Sequence, residues 1–319
     1  MFWASYLLAA LAVILAWPVP VMLSKARWTA RAPGAALLLW QAIALAGGLS
    51  MIGAMLTWGL VPLGDNLLAG LRGLAALIFD NNPADSGLDP VHVFALSAAL
   101  LLTVHLVFTL LLTYLRIRKQ RNRHRDLLNL LSSPAEHSPA TLVISHPAPV
   151  AYCLPGGEGS VTVLSEGLLE LLSPAELDAV MTHERAHLAQ RHDLLLLAFA
   201  AWRTALPWLP TSQLAQRAVS ELTEMLADDA ALHTARRETL IRAIAVVASG
   251  ERPAGTADPA GAGLPGGAES DALSTAHRLR RLLTPQPALS TAAQYLVALV
   301  ALLLLSVPTI LLIAPGLAG

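Results

Sequence analysis

His183-Glu184-Arg185-Ala186-His187 is the stretch of this chain best equipped for chemistry. Histidines four residues apart lie one turn above each other on a helix, so their imidazoles can grip one Zn²⁺ from the same side. The glutamate between them lies beside that metal, where it can take a proton from a zinc-bound water. The pattern offers His183 and His187 as metal ligands and Glu184 as catalytic base, and it requires a third ligand from elsewhere. In a chain of 319 residues with 10 histidines it arises by accident roughly once in a hundred chains, so its surroundings must decide.

Those surroundings read as a helix. Ser173-Pro174-Ala175-Glu176 has the form of a capping box with proline at the first helical position. Leu177, Val180, Met181, Glu184 and Leu188 follow at helical spacing. The apolar side runs on into the histidine side, which turns the imidazoles toward an interior. The competing reading is a surface helix that happens to carry two histidines and a glutamate.

A second helix-forming run, Ser220–Ala231, answers the need for a third ligand. Glu224 and Asp228 share one of its faces. Glu224 can complete a His₂Glu site with the fourth position left for water. Asp228 can accept a hydrogen bond from a ligand imidazole and fix its tautomer. Glu221 is the competing third ligand, and an acidic solvated face is the alternative for the whole run.

Taken in order, these motifs resemble the membrane metalloproteases of the BlaR/MecR type, and more distantly those of the HtpX type. The resemblance covers about Ala151 to Ala231. It includes Ala151-Tyr152-Cys153-Leu154-Pro155-Gly156, Val161–Leu164, Leu177–Thr182 leading into the histidine pair, Arg191-His192-Asp193 after it, and the spacing of Glu224 and Asp228. It implies one Zn²⁺ on His183, His187 and Glu224, Glu184 as base, and a cytoplasmic catalytic domain among four membrane spans.

Composition points to a membrane independently. The chain is 55% hydrophobic, with a mean hydropathy of +0.57 and only 13% charged residues, against about 25% in ordinary globular chains. Apolar stretches at about 2–23, 35–63, 91–115 and 289–313 are each long enough to cross a bilayer. The fold expected is mainly α and integral to the membrane. Three spans occupy residues 1–115, a zincin-like α+β metallopeptidase domain with a small sheet fills 116–288, and the fourth span lies in 289–319. Lys25, Arg27 and Arg31, and the basic run from Arg116 to Arg125, belong on the cytoplasmic side. The Gly64–Pro90 loop, with four aspartates and one arginine, belongs outside, as do both termini. The N-terminal stretch has no positive segment before its apolar run, so it reads as a retained span. The excess of arginine over lysine and the abundant alanine fit a high-GC bacterial genome, and the membrane expected for the spans is then the bacterial inner (cytoplasmic) one. The Arg116–Arg125 run reads as a juxtamembrane anchor to anionic lipid, and no nucleic-acid motif accompanies it.

Within the catalytic domain, short strands are expected at Leu142–Ile144, Val150–Leu154 and Val161–Leu164, with a turn at Pro155–Gly159. Tyr152, Cys153 and Leu154 can present a strand edge to an extended substrate. Cys153 is the single cysteine, which excludes an intramolecular disulfide, and reads as a small apolar strand residue. Leu194–Leu209 is apolar but broken by Arg203 and Pro207. It is expected to pack at the membrane surface against the bundle, since spanning would part Glu224 from the histidines. Residues 251–271 read as a flexible linker and Ala276–Leu283 as a short basic helix. On that helix His277 or Arg278 can face either the site or lipid. His192 is either a group behind the metal ligands or a surface residue. His105, deep in the third span, is expected to bond a neighbouring helix.

The reading is a zinc endopeptidase acting on polypeptide, with a small DNA-binding repressor as the substrate that the resemblance implies. The chain departs from the sensor members of that type: no penicillin-binding domain follows the last span before Gly319, and no Ser-x-x-Lys motif is present. Quality-control proteolysis of membrane proteins and a non-catalytic zinc-containing receptor are the alternatives. The oligomeric state is left open.

Overall fold

A computed structural model describes residues 1–79, 88–135, 138–154, 160–249 and 267–313. Its helices are α1 (Phe2–Ala16), α2 (Pro18–Ser24), α3 (Pro33–Leu60), α4 (Leu67–Phe79), α5 (Pro90–Leu131), α6 (Glu166–Leu171), α7 (Pro174–Ala189), α8 (His192–Ala205), α9 (Pro210–Ala231), α10 (Arg237–Ser249), α11 (Gly267–Leu283) and α12 (Thr291–Ile313). Its strands are β1 (Ser132–Ala135), β2 (Ser138–Ile144), β3 (Ala151–Leu154) and β4 (Val161–Ser165). The chain divides into two compact units. One comprises Met1–Leu110, Ala201–Ala218 and Leu289–Gly319, the other Leu111–Ala200 and Val219–Ala288.

Four helical segments are long and apolar enough to cross a membrane: Phe2–Ser24, Pro33–Leu63, Pro90–Leu128 and Thr291–Ile313. In the first unit α3 packs against both α1 and α12. Small residues permit the close approach. A Cβ on Gly53 would stand 3.2 Å from Leu312 and 3.3 Å from Leu8, and one on Gly48 would press on the Trp202 ring at 2.9 Å. Apolar side chains such as Leu100, Leu101, Leu299 and Leu303 stay exposed, as a lipid-facing surface requires.

Ala201–Ala218 belongs with these apolar helices, in keeping with the packing against the bundle expected for Leu194–Leu209. Ala205, Leu206 and Leu209 are buried against Ala16, Met51, Leu102, Leu106 and Trp202. The polar groups of this segment explain why that burial is tolerated. Prolines remove backbone donors here, so some carbonyls have no helical partner. Pro20 cannot bond Ala16, and the Thr211 hydroxyl lies 2.6 Å from the Ala16 oxygen and 2.7 Å from that of Leu15. Pro210 has no N–H for the Leu206 carbonyl, which accepts instead from the Leu209 amide at 3.1 Å and the Ser212 hydroxyl at 2.6 Å. The Ala205 carbonyl at the end of α8 meets His105 Nε2 at 3.0 Å, the helix-to-helix bond expected of that histidine.

In the second unit the strand order is β1-β2-β4-β3. β2 runs parallel to β4, while β1 and β3 are antiparallel to their neighbours. The β3–β4 hairpin lies where alternation predicted it; its turn, 155–159, lies outside the described residues. β1 is not foreseen by the sequence, because Ser132-Ser133-Pro134 reads as a helix stop and is also the start of a strand. α11 begins at Gly267, inside the stretch expected to be linker, and 250–266 lies outside the described residues.

α7 has the predicted capping box, with Glu176 Oε2 accepting from the Ser173 amide at 2.9 Å and Pro174 at the first turn. It packs against α10 and beside β3. Ala179 on α7 sits in one core with Ala231, Leu240, Ile244 and Leu282, and Val180 in another with Leu164, Leu168 and Leu172. Those cores fix the rotation of α7, so the histidine face has one direction only. Gly167 is required at the start of α6, where a Cβ would overlap the Pro147 carbonyl.

Replacing Thr211 by Val keeps its shape but leaves the Ala16 carbonyl without its donor, a loss of about 1–3 kcal/mol for a buried polar group. Heat unfolding in detergent micelles should shift down for Thr211→Val and stay near wild type for Thr211→Ser.

Candidate metal centre

α7 and α9 bring three sequence-predicted groups together. His183, His187 and Glu224 each offer a ligand atom within 4.8 Å of the others. The imidazole Nε2 atoms of His183 and His187 face each other at 3.2 Å. Glu224 Oε2 lies 3.5 Å from His183 Nε2, and Oε1 lies 3.5 Å from His187 Nε2. Ligands about 2.0–2.1 Å from a tetrahedral zinc stand about 3.3 Å apart. The separations therefore fit a zinc ion at their centre, and the donor set of two imidazoles and a carboxylate is one zinc accepts. Glu221 is not part of the cluster: it pairs with His277 at 2.8 Å.

Electrostatics support the same fit. Asp228 is 1% exposed, with Oδ1 3.0 Å from His183 Nδ1. The approach lies off the N–H direction, so the pairing is more electrostatic than a straight hydrogen bond. Arg278, from α11, donates to both oxygens of Asp228 at 2.7 and 2.9 Å and to Glu224 Oε2 at 2.7 Å. It faces the site and not lipid. Glu184, half-buried on α7, lies within electrostatic reach of Arg278. Three carboxylates against one guanidinium leave an excess of negative charge that a divalent cation balances.

Protonation follows that field. Burial opposes charge on His183, but the Asp228 and Glu224 carboxylates outweigh it and lift its pKa to about 9. A potential that favours a proton there also favours a metal cation. At His187 burial dominates, and its pKa is pushed down to about 4. Burial would raise Glu224; His183 and Arg278 reverse this and hold it far below the usual carboxylate range.

The remaining sequence candidates fall in distinct places. His192 is buried, with Nδ1 3.1 Å from His187 Nδ1. His277 is largely exposed. Tyr152, Cys153 and Leu154 lie on β3, whose outer edge carries no further strand among the described residues. The Leu154 side chain is buried in a core with Leu128 and Val163. The Tyr152 hydroxyl meets His124 Nε2 at 2.7 Å, and burial pushes its pKa up to about 12. Cys153 Sγ lies 3.2 Å from the Thr162 hydroxyl. Sequence reading did not single out Gln190, whose side-chain oxygen meets His192 Nε2 at 3.1 Å, because nothing in its type or spacing marks it.

The sequence model of peptidase family M48 matches residues 117–296, more than half of the 319-residue chain. No curated protein and no solved structure is found to match it.

Burial raises the Cys153 thiol above its ordinary range, so it stays protonated at neutral pH. Alkylation by iodoacetamide at pH 7, followed by intact mass, should run several-fold slower than for free cysteine and accelerate only under more alkaline conditions.

Proposed function

The chain belongs to peptidase family M48, whose members are zinc metalloproteases, and from that premise we propose a membrane-embedded zinc endopeptidase that uses His183, His187 and Glu224 as ligands and Glu184 as base. The observation that carries this reading is the convergence of those three ligand atoms at tetrahedral spacing.

Zinc, when bound, would polarise the scissile carbonyl and acidify the attacking water. Glu184 takes the proton from that water and passes it to the leaving amine. Asp228 holds the His183 ring through Nδ1, and Arg278 holds both Asp228 and Glu224. Arg278 thereby stops two neighbouring carboxylates from repelling each other. The free edge of β3, beside α7, offers main-chain donors and acceptors to an extended polypeptide.

The basic residues Arg116–Arg125 at one end of the third apolar helix support a cytoplasmic catalytic unit. The BlaR/MecR resemblance supports a small DNA-binding repressor as substrate, cut in response to a signal. Degradation of damaged membrane proteins is the second reading, and the more distant HtpX resemblance favours it.

Glu184→Gln should retain zinc near one ion per chain while peptide cleavage falls by about 10²–10⁴. Unchanged cleavage would remove Glu184 from its role as base. Cross-linked in its native membrane, the same variant should hold one repressor-like protein; a broad mixture of membrane proteins would favour quality control.

A further inference from the structure

The geometry points to the turn Gln190-Arg191-His192 as a clasp that fixes the tautomer and direction of the His187 ring, with His192 as a positioning residue. This rests on the zinc reading of the site. α7 ends at Ala189, and Arg191 adopts φ 50°, the left-handed conformation that glycine usually supplies. The reversal starts α8 at His192 and returns that side chain over His187, five residues earlier. The two rings meet edge to face with centroids 4.8 Å apart and Nδ1 atoms 3.1 Å apart. His192 is 2% exposed, so water does not replace its partners.

Only one placement of protons satisfies every atom. To bind a metal, His187 Nε2 must carry a lone pair, so its hydrogen sits on Nδ1. The atom facing that hydrogen is His192 Nδ1, which must accept. His192 then carries its own hydrogen on Nε2, and the Gln190 side-chain oxygen lies 3.1 Å away to receive it. Gln190 therefore orders His192, and His192 orders His187. Arg191 in the left-handed region sets the reversal that brings His192 and Gln190 into this relay.

The two zinc ligands are thus supported differently. His183 is backed by the Asp228 carboxylate, His187 by a neutral imidazole. Groups behind metal ligands typically contribute 10–100-fold to affinity.

The test uses the full-length protein in detergent, with zinc affinity measured against a chelating dye and the visible spectrum recorded with Co²⁺. His192→Phe keeps a ring but no acceptor, and should weaken zinc binding roughly 10–100-fold and shift the cobalt bands. His192→Asn restores a carbonyl acceptor and should recover most of both, which a merely structural role for the ring would not predict. Gln190→Leu should produce a smaller loss in the same direction. The clasp is overturned if His192→Phe binds zinc as wild type with unchanged cobalt bands, or if folded His192→Asn binds no better than His192→Phe. His187→Ala separates the two claims. If it loses zinc while His192→Phe does not, the metal site stands and the clasp falls; if it binds as wild type, both fall.

Discussion

Negative charge concentrated behind two neighbouring imidazoles is the condition on which the rest of the catalytic unit depends. Asp228 is almost fully buried, and Glu224 lies one helical turn before it on the same face of α9. A lone carboxylate in that position would lose its hydration without recompense. The recompense comes from two other helices. α7 brings His183, and α11 brings Arg278 with a forked grip on Asp228 and a further bond to Glu224. Removing Arg278 would leave two carboxylates to repel each other, while removing Asp228 would leave a guanidinium buried. The cores beneath these helices follow from that demand. Ala179, Ala231 and Leu282, from α7, α9 and α11, meet in one cluster, so the residues that hold the helices together lie under the charges that require it.

The apolar unit solves the same problem in a different solvent. No charged residue is buried among its described residues, and the groups that gain side-chain partners are backbone carbonyls at helix ends near prolines. The hydroxyls of Thr211 and Ser212 and the His105 ring meet them. In both units these polar atoms are tolerated in the interior because a specific side chain meets each of them. The placement is done by helix packing, through Gly48 and Gly53 in one unit and through the small buried alanines of α7 and α9 in the other.

What the sequence displays follows from how local each feature is. The histidine pair is legible because its members are one turn apart, and the Ser173–Glu176 cap because its partners are three residues apart. Glu224 is legible as a neighbour of the histidines although it is remote, since a two-histidine pattern calls for a third group and an acid at the right helical phase was available. Asp228 follows from Glu224 by one turn. Arg278 could be named from sequence but not directed, because an arginine beside a membrane span serves lipid as readily as a carboxylate. Its direction depends on α11 folding back against α10, a contact between segments separated by a Gly- and Pro-rich stretch. β1 hides behind a helix-stop signal, and the apolar burial of Ala201–Ala218 is only partly legible because Arg203 and the prolines interrupt its hydrophobic pattern. Arg203 meets Gln216 at 3.2 Å.

One carboxylate ties the site to the rest of its unit. Glu224 Oε2 is shared between His183 Nε2 at 3.5 Å and Arg278 Nη1 at 2.7 Å, while Oε1 faces His187. Were a cation held there, Oε1, which the guanidinium does not engage, would be the freer donor toward it. The ion pair of Arg278 is therefore more than a brace for α11: it ties Asp228 to one oxygen of Glu224 and leaves the other oxygen facing the imidazoles.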